Sequence, residues 1–291
     1  MNRLNQRSIQ DNKESDGAWE TFGAHRCKLT ELLRVTPNRS PQRLCVLGAG
    51  NCNDLDLKVL LNSYQELHLV DLDGEALARG VQRQGLSDSS AVHHHGGIDI
   101  TGVLEIVDSW SPGNPISDTD LASCVDAPAA SVLPMHPRPY DVVASTCLLS
   151  QLIRGVVMSA GESHPRFLQA VQAVRAGHLR LLAGLVAGGG LGLLITDLVS
   201  SESYPALGTV PENLLPGVLA RLIQEHNFFH GLNPGVLASF FRSDPVVAPQ
   251  ISKLELIQPW LWDLGSRVYG VCALRFLKAN HMPAEKDAQA C

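Results

Sequence analysis

The chain has 291 residues, of which 45% are hydrophobic, so it is long enough for one large α/β domain or two small ones. Its 29 acidic residues outnumber the 23 basic ones, which gives a net charge of −6 and argues against a nucleic-acid partner. The seven cysteines are scattered and never in CxxC spacing, so neither a disulfide framework nor a zinc knuckle is indicated. The polar first residues and the glycine-broken apolar stretches predict a cytoplasmic protein without membrane association.

Apolar residues recur with helical spacing in some segments and form short continuous runs, typical of buried strands, in others. In chain order, the predicted elements are a helix at 17–35, a strand at 43–47, a helix at 54–63, a strand at 66–71, a helix at 73–83, a strand at 90–96, a helix at 101–109, a strand at 141–145, helices at 147–155 and 165–186, a strand at 191–196, helices at 211–228 and 234–242, and two closing strands at 253–259 and 267–277.

This alternation predicts an α/β fold with a doubly wound, mostly parallel seven-stranded sheet and helices on both faces. The last two strands are joined too tightly for a crossover, so they are predicted to form an antiparallel C-terminal hairpin. Residues 17–278 are expected to form a single domain between a disordered tail at 1–16 and a second tail at 279–291. The insertion at 111–138 contains five prolines and is predicted to loop over one face of the sheet.

The most informative segment, 42–73, is a strand, a Gly48-Ala49-Gly50 turn, a helix and a second strand that ends on Asp71. Glycines in such a turn let a ligand lie against bare backbone, and the helix N-terminus offers N–H groups. An acidic residue about 20 positions after the turn can hold a ribose. The segment therefore predicts a site for an adenosine-containing cofactor.

Two details bear on which cofactor binds. Asn53 stands where the GxGxxG fingerprint of NAD and FAD proteins has its last glycine. Asp54 and Asp56 follow, and no Lys or Arg lies between residues 44 and 57. Two carboxylates would repel a pyrophosphate but tolerate a sulfonium and an amino group, so the pattern favours S-adenosylmethionine.

Several segments, in this order and spacing, resemble the motifs of class I S-adenosylmethionine-dependent methyltransferases. They are VLGAG (46–50), LHLVDLD (67–73), GIDI (97–100), YDVVASTCLLSQL (140–152), LVAGGGLGLLITDL (185–198) and the closing VYGVCALRFLK. The resemblance covers residues 40–278 and implies the family's Rossmann-like fold, S-adenosylmethionine as methyl donor and S-adenosylhomocysteine as product. The chain departs from the family in lacking an acidic residue in strand one and in carrying the 111–138 insertion.

The resemblance also implies cofactor contacts. Asp71 would hold the ribose hydroxyls, Asp99 would meet the adenine amino group, and Ser145 and Thr146 would line the methionine end. Asp54 is the candidate for the methionine amino contact, because strand one offers no carboxylate. The predicted cofactor-binding residues are Gly48, Ala49, Gly50, Asn51, Asp54, Asp71, Leu72, Asp99, Ile100, Ser145 and Thr146.

Candidates for the acceptor side lie where open α/β sheets place ligands, at the carboxyl ends of strands. Asp197 follows strand five and is the candidate general base, which is needed only if the acceptor enters protonated. His226 and His230 follow a helix, and Trp260 and Trp262 at the hairpin could wall an aromatic acceptor.

The run His93-His94-His95 lies in a predicted strand. Consecutive strand residues point to alternate faces, so at most two of the three histidines could share an ion. No metal site is predicted on this basis.

The sequence therefore predicts an enzyme, a methyltransferase that uses S-adenosylmethionine and acts on a small-molecule acceptor by direct displacement. Segments 1–35 and 111–138 are expected to shape the acceptor pocket. Two alternatives remain, a nicotinamide-dependent oxidoreductase and a non-catalytic methyltransferase-like domain that binds or regulates a partner. The acceptor atom and the oligomeric state are left open.

Overall fold

A computed structural model of the protein describes residues 2–34, 43–132 and 138–280. The helices are α1 (Arg3–Glu14), α2 (Gly23–Leu33), α3 (Leu57–Leu61), α4 (Gly74–Arg83), α5 (Leu104–Ser109), α6 (Asp118–Val132), α7 (Leu148–Ala160), α8 (Phe167–Leu185), α9 (Leu215–Gln224) and α10 (Pro234–Ser243). The strands are β1 (Arg43–Leu47), β2 (Glu66–Asp71), β3 (Val92–Gly96), β4 (Tyr140–Thr146), β5 (Val186–Ser200), β6 (Ile251–Asp263) and β7 (Val268–Lys278). None of these helices is both long and apolar enough to cross a bilayer.

The strands form one sheet in the order β3-β2-β1-β4-β5-β7-β6. The five strands from β3 to β5 are parallel, and β7 pairs antiparallel with both β5 and β6. The predicted doubly wound, mostly parallel seven-stranded sheet with an antiparallel closing hairpin is confirmed. Because the chain runs outward from β1 to β3 and then returns to β4, the crevice beside the carboxyl ends of β1 and β4 is where this topology places a ligand.

Both faces of the sheet are covered by helices. Leucines of α2, α3 and α4, among them Leu29, Leu57 and Leu77, pack with Val46 and Leu69 on one face. The other face carries α5 to α10. Each fully buried leucine of these layers stabilises the fold by about 1.5–3 kcal/mol relative to an exposed one.

The N-terminal segment differs from the expected disordered tail, because residues Arg3–Glu14 form α1. The Asn2 side chain caps the helix by accepting from the Asn5 amide at 2.8 Å. Polar tertiary contacts dock it, including one from Asn12 Nδ2 to Asp73 Oδ2 at 3.3 Å and an ion pair between Asp11 and Arg154. The helix buries no residue fully, and Leu4 and Ile9 are its only apolar side chains, so the apolar spacing that identified the other helices is too sparse here.

The insertion at 111–138 was expected to be a loop, but residues Asp118–Val132 form α6, which packs on α8. Cys124, Pro128 and Val132 recur every four residues and are buried, which is the helical signal that its Pro-rich composition obscured. Residues 133–137 of the insertion and 281–291 of the expected C-terminal tail lie outside the described residues. The glycines at 188–190 were expected to end a helix, but they lie inside β5.

The contact between α6 and α8 depends on Gly177, since a Cβ at this position would collide with the carbonyl oxygen of Cys124 and lie 2.9 Å from Cγ of Pro128. We predict that Gly177→Ala lowers the free energy of unfolding by about 1–3 kcal/mol through overpacking. The matched control is Gly217→Ala in α9, where a Cβ has nothing within 4 Å. That control should raise stability by about 0.5–1 kcal/mol, because alanine loses less backbone entropy in a helix.

Urea unfolding of both variants, followed by far-UV circular dichroism, measures the difference. Equal midpoints for the two alanine variants would contradict the close approach of α6 and α8 at Gly177.

Candidate functional site

A cavity that encloses about 820 Å³, including space open to solvent, lies at the carboxyl ends of β1 and β2. Its floor and sides contain five of the predicted cofactor-binding residues, which are Gly48, Asp71, Leu72, Asp99 and Ile100. Helix α1 contributes Leu4, Arg7, Ser8 and Asp11 to the wall. The structure thus brings together residues that are far apart in sequence, at the place that the strand order predicts.

The turn after β1 is bound to the end of β2 through three successive amides. The amides of Gly48 and Ala49 donate to the carbonyl of Val70 at 2.9 and 3.2 Å, and that of Gly50 donates to Asp71 Oδ2 at 2.8 Å. Gly48 has φ +78°, and a Cβ there would lie 2.8 Å from Cβ of Leu148. Glycine is therefore required at this position both for the backbone angle and for the close approach of α7.

Asp71 is the central acid of the cavity. Besides the Gly50 amide, it accepts the amide of Asp73 at Oδ1 at 2.8 Å. Burial raises the pKa of its carboxyl above the ordinary value. A carboxylate has about four lone-pair positions, so Asp71 can still accept hydroxyl donors from a ligand in the cavity.

Asp99 lines the cavity while holding the start of α5. Its Oδ1 accepts the amide and the hydroxyl of Thr101 at 2.9 and 2.6 Å, and its Oδ2 accepts the amide of Leu104 at 2.9 Å. Ile98 and Ile100 adjoin it in the cavity wall. This part of the site combines an apolar surface with a fixed carboxylate, a chemistry that suits a flat heterocycle carrying an amino group.

Asp54 follows the glycine turn and is partly buried, with its carboxylate hydrogen-bonded to the Thr146 hydroxyl. The same hydroxyl lies 3.2 Å from the carbonyl oxygen of Gly48. Burial, with a smaller contribution from the negative charge of Asp71, raises the pKa of Asp54 to about 7. A cationic ligand group beside Asp54 would reverse this effect by favouring the carboxylate.

The cavity lining does not include the other six predicted cofactor residues, which are Ala49, Gly50, Asn51, Asp54, Ser145 and Thr146. Ser145 is fully buried and its Oγ lies 2.8 Å from Nε2 of His178, on the α8 side of the sheet. Asn51 is bound to α1, donating to the Asn12 carbonyl and to Ser15 Oγ at 3.0 and 3.1 Å. Ala49 is buried beneath the turn. Adjacent strand residues face opposite ways, so Ser145 and Thr146 could not both have faced the ligand.

Asp197 was expected at the end of strand five but lies inside the longer β5, where it is 9% exposed. The Ser150 hydroxyl donates to it, and burial raises the pKa of its carboxyl. Burial raises the pKa of the Cys147 thiol at the start of α7, and the negative charges of Asp197 and Asp54 add to this effect. Asp197 does not line the cavity.

The other acceptor-side candidates lie apart from the cavity wall. His226 and His230 are exposed, and His230 pairs with Glu162 at 3.3 Å. Trp260 donates from Nε1 to Nδ1 of His25 at 3.1 Å, and the ring of Trp262 stacks on His25 at 4.3 Å. The tryptophans thus fasten α2 to the hairpin.

The sequence predicted that segment 1–35 shapes the pocket, but not that its first residues form a helix that lines it. Arg7 and Arg154 bring positive charge to the cavity wall, and both pair with Asp11. Of the two segments expected to shape the acceptor pocket, α1 lines the cavity, whereas α6 packs in the core against α8.

No protein-family model matches the chain, and no curated protein is significantly similar to it in sequence. Among solved structures, the N-methyltransferase NodS from Bradyrhizobium japonicum WM9 is 11% identical, with 89% of this chain and 97% of that chain covered and a TM-score of 0.41. NodS has also been solved with S-adenosyl-L-homocysteine.

Two further solved structures are similar. YcgJ from Bacillus subtilis is 10% identical, with 90% of this chain and 99% of that chain covered and a TM-score of 0.44. An O-methyltransferase family protein from Burkholderia thailandensis is 13% identical, with 95% and 63% covered and a TM-score of 0.45. At these identities and TM-scores, the comparisons carry no argument about the function of this chain.

The raised pKa of Asp54 predicts a pH-dependent stability. Between the unfolded value, 3.8, and about 7, the folded protein holds a proton that the unfolded chain releases, so this group makes stability fall as pH rises through that window. We predict that Asp54→Asn raises the melting temperature of the ligand-free protein at pH 8 and changes it little at pH 4.

The matched control is Asp88→Asn, which makes the same chemical change at an exposed position between α4 and β3. Differential scanning calorimetry across pH 4–8 compares the three proteins. A gain at pH 8 that is equal in both variants would show that general charge, and not the burial of Asp54, is responsible.

Proposed function

We propose that the protein is an S-adenosylmethionine-dependent methyltransferase that acts on a small-molecule acceptor by direct displacement and releases S-adenosylhomocysteine. The observation that carries the proposal is the bonding of the glycine turn. In dinucleotide sites, the backbone amides of such a turn and the following helix N-terminus bind a pyrophosphate. Here the amides of Gly48, Ala49 and Gly50 already donate to Val70 and to the Asp71 carboxylate, so they leave the turn suited to a ligand without phosphates.

The charge around the turn supports the same choice. Asp71 and Asp99 line the cavity, Asp54 lies close enough to Asp71 for their charges to interact, and the two arginines of the cavity wall are paired with Asp11. A pyrophosphate would meet uncompensated carboxylates, whereas a sulfonium and an ammonium would relieve their repulsion. This favours the methyl donor over a nicotinamide cofactor.

The proposed ligand occupies the cavity along the carboxyl edge of the sheet. The adenine lies against Ile98 and Ile100 with its amino group towards Asp99, and the ribose hydroxyls donate to Asp71. The methionine end extends past Gly48 towards Asp54 and Thr146.

In the reaction, a lone pair of the acceptor forms a bond to the methyl carbon while the carbon–sulfur bond breaks and its electron pair stays on sulfur. Positioning supplies much of the rate, since well-oriented reactants gain about 7–11 kcal/mol relative to free ones. A protonated acceptor also has to lose its proton. Asp197 is the proposed general base, because its raised pKa makes a carboxylate more basic than an exposed one and Ser150 holds it in place.

The cofactor assignment is tested by isothermal titration with S-adenosylmethionine, S-adenosylhomocysteine and NADH. We expect saturable binding of the first two, weakened about 10- to 100-fold by Asp71→Ala, because hydrogen bonds to a charged group are lost. Asp88→Asn is the control and should bind like the unchanged protein. A folded protein that binds neither sulfur compound, or that binds NADH instead, would overturn the proposal.

The role of Asp197 is tested with the Asp197→Asn variant. We expect its affinity for S-adenosylmethionine to be unchanged, because Asp197 lies outside the cavity wall. Transfer to phenol and alcohol acceptors in a broad panel should fall by about 10²–10⁴-fold, with loss of the rise in rate on the alkaline side of the Asp197 pKa.

Retention of that pH profile in the variant would exclude Asp197 as the base. Cofactor binding by the unchanged protein without transfer to any acceptor of the panel would favour the non-catalytic alternative.

A further inference from the structure

A cluster of imidazole and carboxylate groups lies on the β2–β3 strand pair, away from the cavity. His68 of β2 pairs in register with His93 of β3, and the alternation of strand residues places Glu66 and His95 on the same face. The ring centroids of His93 and His95 lie 4.5 and 5.3 Å from that of His68. His94 is exposed on the opposite face.

We propose that Glu66, His68 and His93 bind a divalent transition-metal ion, and that Zn²⁺ fits this ligand set. One ligand atom from each residue can be chosen so that all three lie within 4.8 Å of one another. Zinc binds imidazole nitrogen and carboxylate oxygen at about 2.0–2.2 Å, so its ligands stand roughly 3.3 Å apart, a separation that small side-chain rotations would reach from here. Three protein ligands leave a fourth position for water.

The hydrogen bonds around His68 support the proposal. Its Nδ1 lies 3.0 Å from Nε2 of His95, and its Nε2 lies 3.1 Å from Glu66 Oε2 and 3.3 Å from Nη2 of Arg43. A neutral imidazole carries a single N–H, on one or the other of its two nitrogens.

Neither neutral tautomer satisfies all three contacts. With the proton on Nδ1, the Nε2 lone pair of His68 faces the carboxylate of Glu66. With the proton on Nε2, that N–H faces the guanidinium of Arg43, which can only donate. A metal ion on Nε2 would accept the lone pair and attract the carboxylate, while Nδ1–H donates to His95. An imidazole ligand whose other nitrogen donates to a fixed acceptor is the usual arrangement in metal sites.

Arg43 opposes the ion but does not block it. Its Nε donates to Glu66 Oε2 at 2.8 Å, and its Nη1 donates to the carbonyls of Arg138 and Pro139 at 2.8 and 3.1 Å. The guanidinium is thereby held on one carboxylate oxygen, which leaves Oε1 of Glu66 for the metal. Its positive charge should weaken ion binding, so Arg43→Met is expected to tighten it.

The site is reachable from solvent. The Glu66 side chain is 34% exposed, and His93 and His95 are half-buried, whereas His68 is buried between them. Because β3 is an edge strand of the sheet, an ion can reach the site from that edge.

The test is titration of untagged, EDTA-treated and desalted full-length protein with ZnCl₂, followed by calorimetry. We expect saturable binding of a single ion per chain and a rise in melting temperature with Zn²⁺ concentration, as binding to the folded state requires. His93→Ala and Glu66→Gln should each weaken binding by at least about tenfold, and His95→Ala by roughly 10- to 100-fold through the orientation of His68. Circular dichroism shows whether each variant is folded.

His94→Ala is the matched control, since it removes an imidazole from the same run but from the opposite face, and it should bind Zn²⁺ unchanged. No saturable binding by the folded protein would overturn the proposal. So would equal losses in His93→Ala and His94→Ala, because the exposed histidine run alone would then account for the binding. Substitutions in the methyl-donor site, such as Asp71→Ala, should leave Zn²⁺ binding unaffected.

Discussion

The hydrogen bond from the Gly50 amide to the Asp71 carboxylate is the constraint on which the site depends. It joins the turn after β1 to the end of β2, so the position of the turn is set by the pairing of these two parallel strands. The same hydrogen bond helps to position α1, because Asn12 of this helix contacts residues next to both of its partners. Asn12 donates to Asp73, two residues after Asp71, and accepts from Asn51, the residue after Gly50. One buried acid thus organises the floor of the cavity and the helix that closes it.

The buried carboxylates of Asp54, Asp71 and Asp197 lower the stability of the ligand-free protein when they are ionised. Asp54, Asp71 and Asp197 all have pKa values raised by burial, which means that each carboxylate would gain from a positive charge beside it. In most folds, buried carboxylates are paired with arginine or lysine. Under the proposed function, the sulfonium and the ammonium group of the methyl donor would supply such a charge near Asp54 and Asp71.

The sheet, its order of strands and the place of the cavity could be predicted from sequence because their signals are local. Gly48 and Gly50 predict a turn, continuous apolar runs predict strands, and the short connection between the last two strands predicts an antiparallel hairpin. The missed features depend on contacts between distant residues. Helix α1 is held by polar pairs such as Asp11 with Arg154, which leave no periodic pattern. Ser145 lies in a strand covered on both faces, where alternation of polar and apolar residues does not reveal direction.

The histidine run shows the same limit in another form. The alternation rule allows His93 and His95 on one face but says nothing about what the neighbouring strand adds, and the register of β2 with β3 supplies His68 and Glu66. Those two residues and Asp71 belong to one strand but to opposite faces and opposite ends, about 16 Å apart from Glu66 to Asp71 at 3.3 Å per residue. The proposed zinc site and the proposed methyl-donor site therefore lie towards opposite ends of β2, and the register of β2 with β3 and β1 positions both.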